Sequence, residues 1–227
     1  MRDGDKITKA YQLVGRAAKS YDGMMTCSTW VGRLASRFIW NLDEKKGREY
    51  VGFALSGIPE GFRGRLLEVP VGTGCLSLPA YRSFPDASIV CMDYVDGMLE
   101  TARERAASLH LGNVELMRGD VGRLPFADAC FDVVLTLNGL HVFPDKEAAL
   151  RELARVLRPG GIFCGTCYVM GERSGTDFFV KRVFVPGGFF TPPFDTLESL
   201  RARLGRFYRD VRLHSVEAEA AFVCRKG

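Results

Sequence analysis

The sequence has no run approaching the roughly 20 apolar residues of a membrane-spanning helix. It also has no block of lysine and arginine, and no G-x-x-x-x-G-K-[ST] loop. These absences exclude a helical membrane protein, a polybasic arm for nucleic acid or membrane surfaces, and a P-loop nucleotide hydrolase. The first ten residues carry charges throughout, which predicts no secretory leader and a cytoplasmic location. Cysteine is not scarce, since there are seven, but the number is odd and most lie in apolar, strand-like runs. That pattern predicts buried free thiols rather than a disulfide scaffold. The single C-x-x-C, Cys164 to Cys167, lacks the second pair that a zinc site requires. Residues three apart in a strand also face opposite ways, so no metal site is expected. Neither an internal repeat nor a low-complexity segment is present.

What is there is one domain's worth of core: 227 residues, 47% hydrophobic and 26% charged, with a net charge of +4. From Gly64 onward, apolar runs rich in β-branched residues alternate with helical patterns. Strands are expected at 65–69, 88–93, 114–120, 131–137 and 161–167, and helices at 98–110 and 144–161, the latter opening on Pro144 and stopping at Pro-Gly-Gly. Strands that alternate with helices pair in parallel through right-handed crossovers, which predicts an α/β, Rossmann-like doubly wound sheet with ligands at the carboxyl ends of its strands.

Four regions of one domain (1–227) are read from this rhythm: a helical cap over 1–60, a nucleotide-binding core over 61–170, an aromatic lid or substrate wall over 171–195, and a helix with two strands over 196–227. Asp195 and Glu198 predict a capping box for a helix running to about Tyr208.

The stretch "LLEVPVGTGCLSLP" at 66–79 joins a strand to a glycine loop, and Asp93 ends the next strand where a ribose would meet a carboxylate. Gly72 and Gly74 let the backbone come close to a ligand. A nicotinamide enzyme would share Asp93, but Ser77 replaces the third dinucleotide glycine and no Y-x-x-x-K pair occurs.

In "LLEVPVGTG", "VCMDYVDGMLETAR", "MRGDVGRLPFADACFDVVLTLNGLHVFPD" and "VLRPGG", taken in that order, the chain resembles the class I S-adenosylmethionine-dependent methyltransferases. The likeness covers roughly 64–170 and is greatest to the branch of ubiquinone and menaquinone biosynthesis. It implies a mostly parallel seven-stranded sheet and S-adenosylmethionine as cofactor, with S-adenosylhomocysteine as product. It also implies roles for individual residues. Glu68 would meet the methionine amino group and Asp93 the ribose, while Tyr94 or Met98 packs on the adenine. Asp120 and the Val121 N–H would read the adenine edge, Asn138 would lie by the methionine moiety, and Tyr21 would close over the cofactor. Pro70 departs from the family's usual glycine; it removes an N–H that a pyrophosphate would want and adenosylmethionine would not.

His141, just past the fourth strand, is the candidate base for the acceptor, and His110 and His214 are expected to be structural. "TPPF" at 191–194 sits in the wrong place for the [DN]-P-P-[YF] of amino-methylating nucleic-acid enzymes. The expected partner is a small-molecule acceptor, flat or lipophilic given the aromatics, with no nucleic acid. Methylation of RNA or protein, non-catalytic binding of the adenosyl ligand and hydride transfer remain the alternatives.

Overall fold

A computed structural model describes residues 18–227. Three helices come first: α1 (Ala18–Met25), α2 (Trp30–Trp40) and α3 (Glu44–Leu55). The helical cap expected over 1–60 lies partly outside the described residues. Thr29 caps α2 by accepting from the Gly32 N–H, and Asp43 caps α3 by accepting from Lys46. Gly32 packs against the backbone of α1, where a Cβ would lie 2.0 Å from the Gly23 carbonyl oxygen. Gly32→Ala is therefore expected to push the two helices apart and cost about 1–3 kcal/mol, read as a lower denaturant midpoint.

The sheet follows as β1 (Arg65–Glu68), α4 (Leu78–Tyr81), β2 (Ser88–Asp93), α5 (Asp96–Ser108), β3 (Val114–Arg118), β4 (Phe131–Leu137), α6 (Lys146–Val156) and β5 (Leu157–Tyr168). After α7 (Ser174–Phe179), a π-helical turn (Val180–Phe184) and α8 (Leu197–Gly205), the chain closes with β6 (Arg209–Val216) and β7 (Glu219–Arg225). The order is β3-β2-β1-β4-β5-β7-β6, with β1 to β5 in parallel and β7 antiparallel to both its neighbours. Strand order reverses between β1 and β4, so their carboxyl ends open the crevice in which such sheets take ligands.

Alternation along the strands divides the core between two faces. In β2, Ile89 and Cys91 pack with Leu99 and Ala102 of α5 and with Tyr50 and Ala54 of α3, while Val90 and Met92 join the layer of Leu150, Leu153, Leu200 and Leu204 under α6 and α8. Cys164 lies on the first face and Cys167 on the second. All seven cysteines are free thiols, and no metal-binding cluster is found among the described residues.

Three boundaries differ from expectation. α6 is capped by Asp145 and stops at Val156, because the extended backbone from Leu157 pairs with Phe131 and, at Gly160, with Lys226. The capping box of α8 is built from Thr196 and Ser199; Asp195 is instead held by Arg203 at 2.9 Å. The aromatic segment 171–195 is more regular than a loop, as it holds α7 and the π-helical turn, with Val180 fully buried. No helix among the described residues is long and apolar enough to cross a membrane.

Candidate active site

Two cavities meet at the carboxyl ends of β1, β2, β3 and β4. The first, of about 240 Å³, collects nearly every residue singled out for a nucleotide: Tyr21, Glu68, Pro70, Gly72, Asp93, Tyr94, Met98, Asp120, Val121 and Asn138. Gly74 is the exception. It stands behind the loop at φ 69°, where a Cβ would strike the Leu78 side chain, so its role is to pack the loop onto α4. Gly72, at φ 57°, is different, because a Cβ there would meet nothing within 4 Å. The missing side chain leaves room for a ligand.

Asp93 is held by two backbone donors. One oxygen accepts from the Gly72 N–H at 2.8 Å and the other from the Val95 N–H at 2.9 Å, which leaves a lone pair on each for a pair of hydroxyls. Burial pushes its carboxyl up to about 6, against the opposing pull of those N–H donors. Glu68, at the end of β1, accepts from the Tyr81 hydroxyl at 2.7 Å and is pushed by burial to about 7. Asp120 accepts from Gly122 at 2.8 Å and stands at the exposed rim, next to the buried Val121. The Tyr94 ring is half exposed beneath the Arg118 guanidinium, whereas Met98 is buried in the wall.

Three of the loop's donors are already engaged. The peptide between Val69 and Pro70 is cis, and the N–H groups of Val71, Gly72 and Gly74 bond to Met92, Asp93 and Val71. A pyrophosphate would find those three N–H groups already taken, while an uncharged adenosyl group needs only the space.

The second cavity, of about 350 Å³, lies between the N-terminal helices and the aromatic segment. Its walls include Met24, Trp40, Tyr50, His141, Phe184, Phe190 and Glu219. Tyr21, Met25 and Asn138 line both cavities and so form their shared boundary. Asn138 is fixed there, at φ 57°, by its N–H to the Thr166 carbonyl at 2.9 Å and by the Thr166 hydroxyl donating to its side chain at 2.9 Å.

His141 faces this second space, yet its geometry does not suit a base. Its Nδ1 accepts from the Tyr168 N–H at 3.0 Å, so the ring proton sits on Nε2, and burial together with nearby Lys146 pushes its pKa down to about 3. The imidazole is neutral with its proton on Nε2, an arrangement that does not suit removal of a proton from an acceptor. His214, by contrast, pairs with Glu49 at 2.9 Å and lines neither cavity.

Glu219, Tyr50 and Trp40 were not singled out from the sequence. Glu219 left a trace, as the lone charge in the apolar run from Ala218 to Cys224.

The switch-point crevice, the paired acceptor oxygens of Asp93 and the open face of Gly72 fit the cofactor site of a class I S-adenosylmethionine-dependent methyltransferase domain. A methyltransferase domain model matches residues 66–161. The ubiquinone/menaquinone biosynthesis C-methyltransferase of Pseudomonas putida is 38% identical over 162 residues, covering 70% of this chain and 57% of that protein. The demethylmenaquinone methyltransferase of Thermus thermophilus is 40% identical over 114 residues, half of each chain. The chain thus spans little more than half the length of these relatives. In fold it is similar to a Thermotoga maritima S-adenosylmethionine-dependent methyltransferase, with a TM-score of 0.67 at 20% identity over 96% of this chain and all of that one. The domain is similar to the ubiquinone- and menaquinone-biosynthesis branch of the class I family.

Proposed function

We propose that the protein is a cytoplasmic S-adenosylmethionine-dependent methyltransferase whose acceptor is a small molecule with a flat or lipophilic body. The observation that carries this reading is the pair of cavities sharing Tyr21, Met25 and Asn138, one suited to an adenosyl ligand and the other walled by aromatic rings. The named activities of the Pseudomonas and Thermus relatives, in quinone biosynthesis, support an acceptor of that shape.

S-adenosylmethionine, when bound, supplies a methyl group on a sulfonium. The chain's own work is to bind and to align. Asp93 would take the ribose hydroxyls, Glu68 the amino group, and Asp120 with Val121 the adenine edge. Met98 is the wall and Tyr94 the outer cover. Tyr21 and Asn138 stand at the boundary where the two ligands meet, so they would set the line of approach. The apolar rings of the second cavity exclude water, and the His141 Nε2–H would orient the acceptor by donating to it. Positioning and desolvation of this kind supply much of the rate in a displacement that needs no covalent help from the protein.

Calorimetric titration with S-adenosylmethionine, S-adenosylhomocysteine and NADH tests the reading. Micromolar binding of both adenosyl ligands without NADH binding is expected. Binding of NADH alone would overturn it. Tight adenosyl binding with no turnover of any aromatic acceptor in a radiolabelled methyl-transfer screen would point to a sensor instead.

A further inference from the structure

Glu219 is a buried acid that the fold does not account for. It opens β7, opposite Tyr168 of β5 and Val216 of β6, and is 5% exposed. Its neighbours in the strand are Ala218, Ala220, Ala221 and Phe222, among which an apolar side chain would serve the sheet as well. Among the described residues it makes no ion pair, and its Oε2 has no hydrogen-bond partner. Burying a carboxyl without a partner costs several kcal/mol, so a purely structural origin would show some compensating contact. What it does have is a place in the wall of the second cavity.

The surroundings of that carboxyl are uniform in sign. No lysine or arginine lines the cavity. Trp40 and Phe184 stack at 5.7 Å with planes 7° apart, and Phe190 stacks on Phe184 at 5.2 Å. Aromatic faces carry negative potential and attract cations, more strongly when water is excluded. The remaining polar groups are neutral: His141 is held uncharged, and the Ser36 hydroxyl already donates to the Met24 carbonyl at 2.6 Å. An anionic group would meet no countercharge in such a space. A cation would meet both the π-faces and the acid.

We propose that Glu219 and the rings of Trp40, Phe184 and Phe190 form a subsite for a protonated amine, so that the acceptor carries a basic nitrogen beside its apolar body. The proposal rests on the second cavity being the acceptor site. Burial holds the Glu219 carboxyl up to about 8, so the empty site is protonated at neutral pH. Entry of an ammonium group releases that proton to solvent, and the buried pair is neutral as a whole.

Three probes of matched shape separate the possibilities: 2-phenylethylamine, 2-phenylethanol and phenylacetate, titrated calorimetrically with and without saturating S-adenosylhomocysteine. The amine is expected to bind at least tenfold more tightly than the alcohol, and phenylacetate not at all. In Glu219→Gln the amine should fall to the level of the alcohol, and Trp40→Leu should weaken the amine more than the alcohol. Both variants should keep S-adenosylhomocysteine affinity within twofold, which shows that they are folded. Equal binding of amine and alcohol to the wild type, an unchanged amine affinity in Glu219→Gln, or no binding of any probe would each overturn the subsite. If S-adenosylhomocysteine itself fails to bind, the methyltransferase reading falls, while the titrations without it still decide the amine subsite.

Discussion

Asp93→Ala is expected to weaken S-adenosylhomocysteine binding at least a hundredfold. The carboxylate anchors the N–H groups of Gly72 and Val95, and in the proposed complex it would present both oxygens to the ribose, two tasks that alanine cannot share. Hydrogen bonds to a charged group contribute about 1.5–3 kcal/mol each, so two of them amount to roughly two to four orders of magnitude. Asp93→Asn should be nearly as damaging, because the amide nitrogen would face a backbone N–H and set donor against donor. The wild type should also lose affinity as the pH falls through about 6, where burial has placed the carboxyl. Calorimetry at pH 8 and pH 5 checks both points. Affinity that is indifferent to Asp93 would remove ribose recognition from the site.

The stability of the ligand-free protein should fall as pH rises from about 4.5 to 8, and Glu219→Gln should remove a large part of that fall. The sign follows from the direction of the shift. Burial raises the folded-state value of Glu219 to about 8 from an ordinary 4.5, so between those limits the folded protein holds a proton that the unfolded chain has released. The contribution is complete below the lower value and is lost on the way to the upper one, at about 1.4 kcal/mol per pH unit for one proton. Glu68, raised to about 7, adds to the slope over the lower part of the window. Urea unfolding at pH 6 and pH 8 is the measurement, with the variant gaining about 2 kcal/mol on the wild type between them. Parallel pH profiles for the two proteins would mean that the carboxyl is solvated or paired.

Much of the lining of the first cavity was legible in the sequence because it is written in local patterns. Alternating residues such as Ile89, Val90, Cys91 and Met92 announce a strand covered on both faces, and the glycines and Asp93 fall at fixed distances from strand ends. The second cavity is assembled otherwise. Trp40, Tyr50, His141, Phe190 and Glu219 come from four separate parts of the chain, and only the sheet order, with β7 placed beside β5, brings them to one cavity. No spacing rule could have paired Glu219 with Trp40. His141 shows the same limit at one residue, for its position was predicted from the end of β4, but its tautomer depends on a backbone N–H 27 residues away.

Asp22 of α1 accepts from the Thr73 hydroxyl at 2.5 Å and pairs with Arg105 of α5, which fastens the helix carrying Tyr21 and Met25 to the nucleotide loop. One carboxylate therefore latches the partition that both cavities share. Loosening that carboxylate would be felt in both cavities at once, because the helix it holds carries Tyr21 and Met25 to their common wall.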